Sequence, residues 1–384
     1  MQSPARLLRP AHLSAGAVML AATLGVAACS AAVQPADVGA KPAPAHSTGA
    51  TGSGSAPARP RTRPRPAMVT ISAVGDTMLG DTSDPPPDPE RYFGSVRREL
   101  RRGAQIVFGN LEGTLTTATT SKCRPVKGRN KHCFAFRDPP RYVRYLKHAG
   151  FTILNNANNH SFDFGALGQA QTVRTIHAAG LAQTGLPGEI TRVRARGVRL
   201  AFVAFAPYDY DASLLDLPAA RALIKRAARR ASVVVVYMHA GAEGSAADHV
   251  TGREEYYLGE DRGNPEAFAH MAIRAGASLV IASGPHVLRG LQFYRHRLIA
   301  YSLGDFASYD DFATSGDLGM SMILRVTLSA AGTFERARIY PVELTGEGRP
   351  VPGGGAISFV SRLSVQDFGR TAARVRHSGV IKAP

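Results

Sequence analysis

The chain has 384 residues, of which 44% are apolar, so it can fill the core of one large domain or two small ones. Its formal net charge is +17; residues 1–66 hold seven of the 46 Lys and Arg and one of the 29 acidic residues, so the rest carries 39 basic and 28 acidic side chains. No basic stripe is interleaved with aromatic platforms, so we expect no nucleic-acid partner. Attraction to anionic envelope polymers and an Arg-rich source proteome explain the charge equally well.

The first 28 residues have the three parts of a secretory signal peptide. Arg6 and Arg9 form the basic start, and an apolar stretch from Leu13 to Val26 is shorter than the roughly 20 residues that span a bilayer. Small residues precede Cys29, the pattern that lipoprotein signal peptidases recognise. We expect Cys29 to carry lipid and to anchor an exported lipoprotein to the outer face of the bacterial cytoplasmic membrane. The alternative is an ordinary cleaved signal with an incidental cysteine.

Residues 29–67 form a segment rich in Ala, Pro, Gly, Ser and Thr, which ends in an Arg-Pro run from Arg59 to Pro66. This composition cannot bury an apolar face, so we expect a disordered tether. The arginines of the run suit contact with anionic headgroups or wall polymers.

Cys123 and Cys133 remain as an even pair if Cys29 is lipidated. In an oxidising compartment the pair predicts a disulfide around a short basic stretch. A metal-binding role fits less well, because the chain has no CxxC spacing and no matching second pair.

Residues 68–345 alternate between strand-like and helix-like patterns, which predicts an α/β domain. Near-continuous apolar runs are typical of strands buried on both faces; they are Val69–Val74, Gln105–Phe108, Phe151–Leu154, Val198–Phe205, Val233–Tyr237, Leu279–Ile281 and Leu298–Tyr301. Caps and periodicity predict helices from Asp138-Pro139 to Gly150, over Leu217–Ala231, and from Asn264-Pro265 to Gly276. Two paired strands, Met320–Leu328 and Phe334–Val342, follow. Residues 346–384 are predicted only as a poorly defined extension with a helix-like piece.

Polar residues able to bind a metal follow almost every predicted strand. They are Asp76; Asn110 and Glu112; Asn158, Asn159 and His160; His239 and Glu243; His286; and Asp305. Because ligands bind at the carboxyl ends of strands in α/β sheets, we expect these side chains to converge. One such residue alone is usually a helix cap or a surface group, but six positions in order predict one site. Mixed oxygen and nitrogen ligands suit Mn, Fe, Zn or Mg, and two bridged ions would clamp a phosphate.

Six motifs of the chain resemble, in order and spacing, those of the CapA family of capsule and poly-γ-glutamate synthesis proteins. They are Gly75-Asp76-Thr-Met-Leu-Gly80, Asn110-Leu-Glu112-Gly113, Asn158-Asn-His160-Ser-Phe-Asp163-Phe-Gly165, His239-Ala-Gly241-Ala-Glu243, Pro285-His286-Val287 and Ser302-Leu-Gly304-Asp305-Phe306. The resemblance implies a layered α/β sandwich of metallophosphoesterase type with a mixed sheet core.

The resemblance also implies roles for single residues. Asp76, Glu112, Asn159, His239 and His286 match positions expected to bind one or two divalent ions, with Glu112 as the bridging carboxylate. His160 matches a histidine that donates a proton to a leaving group or steadies a phosphate. Asp163 either orients His160 or caps a helix. Asn110, Asn158, Glu243 and Asp305 would line the same site.

Two departures from the family pattern concern the metal site. The family commonly has Gly-His-His-Pro-His where this chain has Ala-Ser283-Gly284-Pro-His286, and it has Asn where this chain has Asp305. The loss of imidazole from this motif would weaken one metal position, and the extra carboxylate would partly compensate, so two, one or no ions remain possible.

Two functions follow from the resemblance. The first is a metal-dependent hydrolase or transferase acting on a phosphoester or an anionic envelope polymer. The second is a non-catalytic scaffold lipoprotein with a degenerate metal site. A zinc amidase or peptidase is disfavoured, because the chain has no HExxH motif. The sequence identifies no protein partner.

Overall fold

The structure is a computed structural model that describes residues 67–80, 86, 88–123, 133–309 and 312–384. The predicted signal peptide, Cys29, nearly all of the predicted linker and the stretch between the two cysteines lie outside these residues. Among the described helices, none combines the length and the hydropathy that a bilayer crossing requires.

The described residues form twenty strands and six α-helices. The strands are β1 (Met68–Met78), β2 (Ile106–Leu111), β3 (Thr114–Leu115), β4 (Arg137–Asp138), β5 (Ile153–Asn155), β6 (Ala182–Thr184), β7 (Thr191–Ala195), β8 (Val198–Phe205), β9 (Val233–His239), β10 (Tyr256–Tyr257), β11 (Glu260–Asp261), β12 (Leu279–Ser283), β13 (Leu291–Tyr294), β14 (Arg297–Ala300), β15 (Asp305–Ser308), β16 (Met320–Ser329), β17 (Phe334–Thr345), β18 (Arg349–Pro352), β19 (Arg374–Val375) and β20 (Val380–Lys382). The helices are α1 (Arg97–Arg101), α2 (Val143–Ala149), α3 (Gly165–Ala178), α4 (Leu217–Ala228), α5 (Pro265–Ala275) and α6 (Ala356–Phe368).

Two mixed sheets form the core. The first has the order β19-β20-β17-β16-β1-β2-β5-β6, with β15 beside β1 and β18 beside β17. Its strands β1, β2, β5 and β6 are parallel, and β16 and β17 are antiparallel. The second sheet has the order β13-β14-β12-β9-β8-β7, with β14, β12, β9 and β8 parallel.

The sheets pack face to face between two helical layers. Alternate side chains of a strand point to opposite faces, and both faces of the apolar strand β9 are buried. Val235 packs between the sheets, whereas Val234 packs under α4 and α5. Phe108 of the first sheet stacks on Phe202 of the second at 5.8 Å. Helices α1, α2 and α3 cover the outer face of the first sheet. This layered α/β sandwich with mixed sheets confirms the predicted fold class.

Helix α5 begins and ends where the sequence predicts. The Asn264 side chain accepts a hydrogen bond from the Ala267 N–H at 2.9 Å, and Pro265 occupies the first turn. Gly276 ends the helix with a φ of +117°, a conformation that favours glycine.

The predicted helix start at Asp138-Pro139 is wrong. Asp138 belongs to β4, and its carboxylate accepts a hydrogen bond from the Leu79 N–H at 3.3 Å instead of capping a helix. A 3₁₀ turn, Pro140–Tyr142, follows, and α2 begins only at Val143. A contact across 59 positions of chain therefore overrides the local capping pattern.

Strands β1 and β2 run further than their apolar patterns predict, and they carry Asp76 and Asn110 within the strands. The register of β1 shifts near Asp76 against both β2 and β15. At Gly75 a Cβ atom would clash with the Gly304 carbonyl oxygen, so only glycine permits this approach of the two segments. The polar residues at the strand ends are thus held by the sheet itself.

The residues after position 345 complete the first sheet and the core. β20 pairs with β17, and β18 pairs with the end of β17. Helix α6 buries Phe359, Val360 and Leu363 in the cluster that joins the two sheets. This segment therefore belongs to the same core as β1 to β17.

Candidate metal centre

The carboxyl ends of strands from both sheets meet at one point. Asp76 of β1, His239 of β9 and Glu112, which directly follows β2, bring ligand atoms within 4.8 Å of one another. Asp76 forms a second group of this kind with His286 and Asp305. The structure thus brings together four of the five predicted ligands, Asp76, Glu112, His239 and His286. These four side chains and Asp305 are all buried.

The atoms of this cluster that face one another leave room for a cation. Glu112 is fully buried, and neither of its oxygens has a hydrogen-bond partner in the described residues. The Nε2 atoms of His239 and His286 lie 3.6 and 3.7 Å from Glu112 Oε1. The His239 Nε2 also has no hydrogen-bond partner there. A buried unpaired carboxylate costs several kcal/mol, and a divalent cation would remove this cost. The donor set therefore fits a divalent metal.

Asp76 is oriented by three donors. Its carboxylate accepts hydrogen bonds from Asn110 Nδ2 at 2.8 Å, from the Gly284 N–H at 3.0 Å and from the Ser283 hydroxyl. Burial raises the pKa of Asp76, but the hydrogen bond and charge of His286 outweigh burial and hold the pKa well below its usual range. Asp76 is therefore ionised at any physiological pH.

A chain of hydroxyl groups sets the tautomer of His239. Ser283 donates to Asp76, so Ser283 Oγ accepts from the Tyr237 hydroxyl, and Tyr237 in turn accepts from His239 Nδ1 at 3.2 Å. This direction places the imidazole proton on Nδ1 and leaves the Nε2 lone pair facing Glu112. Burial lowers the pKa of His239 to about 3, which keeps the ring neutral.

Removing the Tyr237 hydroxyl tests this chain. We expect Tyr237→Phe to weaken divalent-metal affinity by about 10- to 100-fold, the effect of losing a partner that orients a metal-binding histidine. Isothermal titration with Mn²⁺ or Zn²⁺ measures the affinity. Tyr301→Phe is the matched control, because Tyr301 is equally buried but donates to Gln292, outside the cluster. Equal affinities of Tyr237→Phe and the wild type would contradict the tautomer assignment.

His286 has a strained backbone, and carboxylates surround its ring. Its φ is +57°, a region that favours glycine, and such strain is common at functional sites. Its Nδ1 lies 2.7 Å from Asp305 Oδ1 and 3.4 Å from Asp76 Oδ2. Burial lowers the pKa of His286, but Asp305 and Glu112 outweigh burial and raise the pKa well above its usual value. Without a cation, protonated His286 balances the carboxylates.

Metal binding should therefore release protons. Burial, and next the charge of Asp76, raise the pKa of Glu112 well above its usual range, and burial raises that of Asp305 to about 6. A metal requires ionised Glu112 and neutral His286, so the proton that this coupled pair holds in the metal-free protein must leave. We expect metal affinity to rise as the pH rises through neutrality, with proton release visible as a buffer-dependent titration enthalpy. A flat affinity across the range from mildly acidic to mildly alkaline pH would contradict these protonation states.

His160 and Asp163 form a pair beside the metal cluster. His160 Nδ1 lies 2.8 Å from Asp163 Oδ2, which also accepts from the Phe136 N–H at 2.6 Å. Lys122 Nζ lies 2.6 Å from the other Asp163 oxygen. No side chain caps helix α3, so the geometry agrees with Asp163 as an orienting group rather than a cap. Burial lowers the pKa of His160, opposed by Asp163.

The predicted asparagines occupy different places. Asn158 Nδ2 donates to Asn110 Oδ1 at 2.9 Å, and its own oxygen accepts from the His160 N–H at 3.0 Å. Asn110 thus orients Asp76, Asn158 holds the backbone of His160, and neither asparagine lines the adjoining cavity. Asn159 lines the adjoining cavity, and its Oδ1 is buried without a hydrogen-bond partner in the described chain, as a ligand atom would be.

A cavity of about 640 Å³ opens above the cluster. Polar residues of the site and several aromatic residues line it, among them Phe136, Phe312, Tyr208 and Tyr210. The lysine and the arginine that line this cavity are already paired with carboxylates. Lys122 pairs with Asp163, and Arg262 pairs with Glu243 at 2.8 Å and Glu260 at 3.3 Å.

The Cys123–Cys133 disulfide predicted from the sequence is present beside this cavity. Cys133 lines the cavity, and Lys122 adjoins Cys123 and donates to the Asn159 carbonyl oxygen at 3.0 Å. The disulfide therefore links the segment of Lys122, which contacts Asn159 and Asp163, to the segment of Phe136, whose N–H donates to Asp163.

Sequence reasoning missed the roles of Tyr237 and Ser283. Tyr237 lies in the apolar run of β9 and has the pattern of a core residue. Ser283 stands where the family commonly has histidine, which indicated only a loss. Its hydrogen bond to Asp76 joins residues 207 positions apart, so no local pattern could indicate it.

Comparison with known proteins identifies relatives over most of the domain. A family model described as "Bacterial capsule synthesis protein PGA_cap" matches residues 70–310. The capsule biosynthesis protein CapA of Bacillus anthracis is 27% identical over 277 residues, which cover 62% of this chain and 59% of that protein. The PGA biosynthesis protein CapA of Bacillus subtilis (strain 168) is 25% identical over 314 residues, which cover 74% of each protein. The match to the first relative thus spans less than two thirds of its length.

Similar solved structures include two bacterial proteins. A hypothetical protein from Thermus thermophilus is 17% identical with a TM-score of 0.40, and the match covers 74% of this chain and 96% of that one. A putative 5'-nucleotidase from Staphylococcus aureus is 12% identical with a TM-score of 0.41, and the match covers 74% and 54% of the two chains.

Proposed function

Because the chain belongs to the bacterial capsule synthesis protein family PGA_cap, as its resemblance to CapA proteins implied, we propose that it acts in the synthesis or export of a capsule or another anionic envelope polymer. Within that role it hydrolyses or transfers a phosphoester at a divalent-metal centre. The relatives named for capsule and PGA biosynthesis support the polymer, and the buried cluster supports the chemistry.

One observation carries the catalytic part of this proposal. Glu112 and His239 face each other in a fully buried site with their facing atoms unpartnered among the described residues. A site that served only stability would have paired these atoms. Asp76, Glu112, His239 and His286 would hold one or two ions, with Asp305 beside them. When bound, a divalent ion supplies Lewis acidity toward a phosphoryl oxygen.

His160 would handle the proton of the leaving group. Asp163 holds its Nδ1 proton, so Nε2 is the atom left to exchange a proton with a ligand in the cavity. Burial favours the neutral ring in the free protein, and the negative charge of an approaching phosphoester favours the protonated ring. Asp163 keeps the ring in position for donation to the leaving oxygen.

We place the protein outside the cytoplasmic membrane. Support comes from the signal-like N-terminus, from Cys29 at its end, and from a disulfide of the kind that persists in oxidising compartments. Membrane labelling with a palmitate analogue, lost in Cys29→Ala, tests the lipid anchor.

Turnover and metal content together test the catalytic proposal. The full chain, purified and loaded with Mn²⁺, Fe²⁺, Zn²⁺ or Mg²⁺ in turn, should bind one or two ions and hydrolyse bis-p-nitrophenyl phosphate. The scaffold function is the second candidate, and Ser283 in place of the histidine common in the family favours it. A chain that binds no ion and turns over no phosphoester, yet supports capsule formation in cells, would establish the scaffold.

A further inference from the structure

A second cavity lies at the opposite edge of the first sheet from the metal centre. It has a volume of about 780 Å³ and lies at the starts of β2, β5 and β6, where Val107, Thr152 and Leu181 line it. Since β2 has six residues, each rising about 3.3 Å, roughly 20 Å separate this cavity from the metal centre.

The charge of this second cavity is one-sided. Four basic residues and no acidic residue line it: Arg101 of α1 and Arg144, Lys147 and His148 of α2. We call this surface the basic groove. All four side chains are exposed, and none forms an ion pair with a carboxylate of the described residues. The acid of α1, Glu99, is paired with Arg325 at 3.3 Å. The groove thus holds uncompensated positive charge.

Contacts with neighbouring groups hold three of these four side chains in place. Lys147 Nζ donates to the Ala179 carbonyl oxygen at 2.6 Å, and Arg144 donates to the Tyr145 hydroxyl at 2.6 Å. Arg144 also lies over the Tyr145 ring, 4.7 Å from its centre. Arg97 donates to His148 Nε2 at 2.8 Å and adds a cation at the rim. Cations positioned in advance bind an anion at a smaller entropic cost.

The two cavities differ in the ligand they suit. Carboxylates already pair with the two strongest cations of the cavity above the metal centre, Lys122 and Arg262, so a polycarboxylate gains little there. The basic groove offers unpaired cations. Among the described residues, no exposed large apolar side chain lies on α1 or α2, so the groove has no group to insert into a bilayer.

From this contrast we propose that the basic groove binds an extended polycarboxylate chain. The inference rests on the proposed function in one respect, because that function supplies an acidic polymer as the ligand. The polymer is held at the amino ends of β2 and β5, and the metal centre at their carboxyl ends stays open to a smaller substrate.

Two charge-reversed variants of the full chain test the groove. Arg144→Glu/Lys147→Glu changes the groove, and Arg229→Glu/Arg230→Glu makes the same change of charge at the exposed end of α4. Fluorescence anisotropy with labelled poly-L-glutamate measures binding at low salt and at about 0.15 M ionic strength. We expect the groove variant to lose at least about tenfold in affinity and the α4 variant less than about twofold. Thermal melting of both variants confirms that they are folded.

Three results would overturn the proposal. Equal losses in both variants would mean that only the total charge attracts the polymer, and no loss in the groove variant would mean that the polymer binds elsewhere. Loss of binding to phosphatidylglycerol vesicles with unchanged polymer binding would assign the groove to lipid headgroups. Asp76→Asn separates the two proposals, because it should keep polymer binding through the groove. A chain that binds the polymer but turns over no phosphoester overturns only the catalytic function.

Discussion

Asp76→Asn should abolish divalent-metal binding and lower phosphodiester turnover by about 1000-fold or more. Asp76 is the carboxylate that belongs to both candidate ligand groups, so the substitution removes one ligand from each. Loss of an outer partner alone costs about 10- to 100-fold in metal affinity, and loss of a direct ligand costs more. Elemental analysis of purified protein measures the bound metal, and bis-p-nitrophenyl phosphate measures turnover.

Stability separates a metal effect from misfolding in this variant. Metal that binds only the folded state raises the melting temperature, so the wild type should melt higher with added Mn²⁺ and Asp76→Asn should not. Asp367→Asn is the matched control, since Asp367 also accepts a side-chain and a backbone hydrogen bond, from His249 and Val250, but does not line the cavity. An Asp76→Asn protein with wild-type metal content would contradict the assignment of the cluster as a metal centre.

His160→Ala should lower kcat by about 100- to 10,000-fold while leaving the bound metal unchanged. His160 belongs to neither ligand group, and its Nδ1 is engaged by Asp163. Removing it takes away a proton donor without removing a metal ligand. Turnover with p-nitrophenyl esters, whose leaving groups need little protonation, should fall less than turnover with alkyl esters.

His249→Ala is the control for His160→Ala, because His249 also pairs with an aspartate but does not line the cavity. It should keep wild-type turnover. In cells, capsule formation that fails with His160→Ala but not with His249→Ala would favour catalysis. Normal capsule formation with His160→Ala would favour the scaffold instead.

The layers of the fold and the position of the site follow from local patterns in the sequence. The run Val233–Tyr237 is apolar at every position, which predicts a strand covered on both faces, and the structure covers it with the other sheet and with α4 and α5. Polar residues directly after such runs predict a common edge, where Asp76, Glu112 and His239 meet.

Other features depend on contacts between distant segments. Asp138 has the sequence pattern of a helix cap, but a bond to the Leu79 N–H places it in a strand. The Gly-rich stretch before α6 has no clear strand pattern in the sequence, but the structure orders it. Its order comes from the pairing of β18 with β17 and from burial of Phe359 in the following helix. Ser283 acquires its role only from the approach of Asp76, a residue at which the register of β1 shifts.

Because Asp76 belongs to both candidate ligand groups, an ion in one group would affect the binding of an ion in the other. A first ion would draw on the charge of this carboxylate, and a second ion would then meet a weaker donor and a neighbouring positive charge. By thermodynamic reciprocity, whichever position fills first lowers the affinity of the other by the same factor. Loading should therefore proceed in two separated steps, with a one-ion form as a distinct species over a wide range of metal concentration.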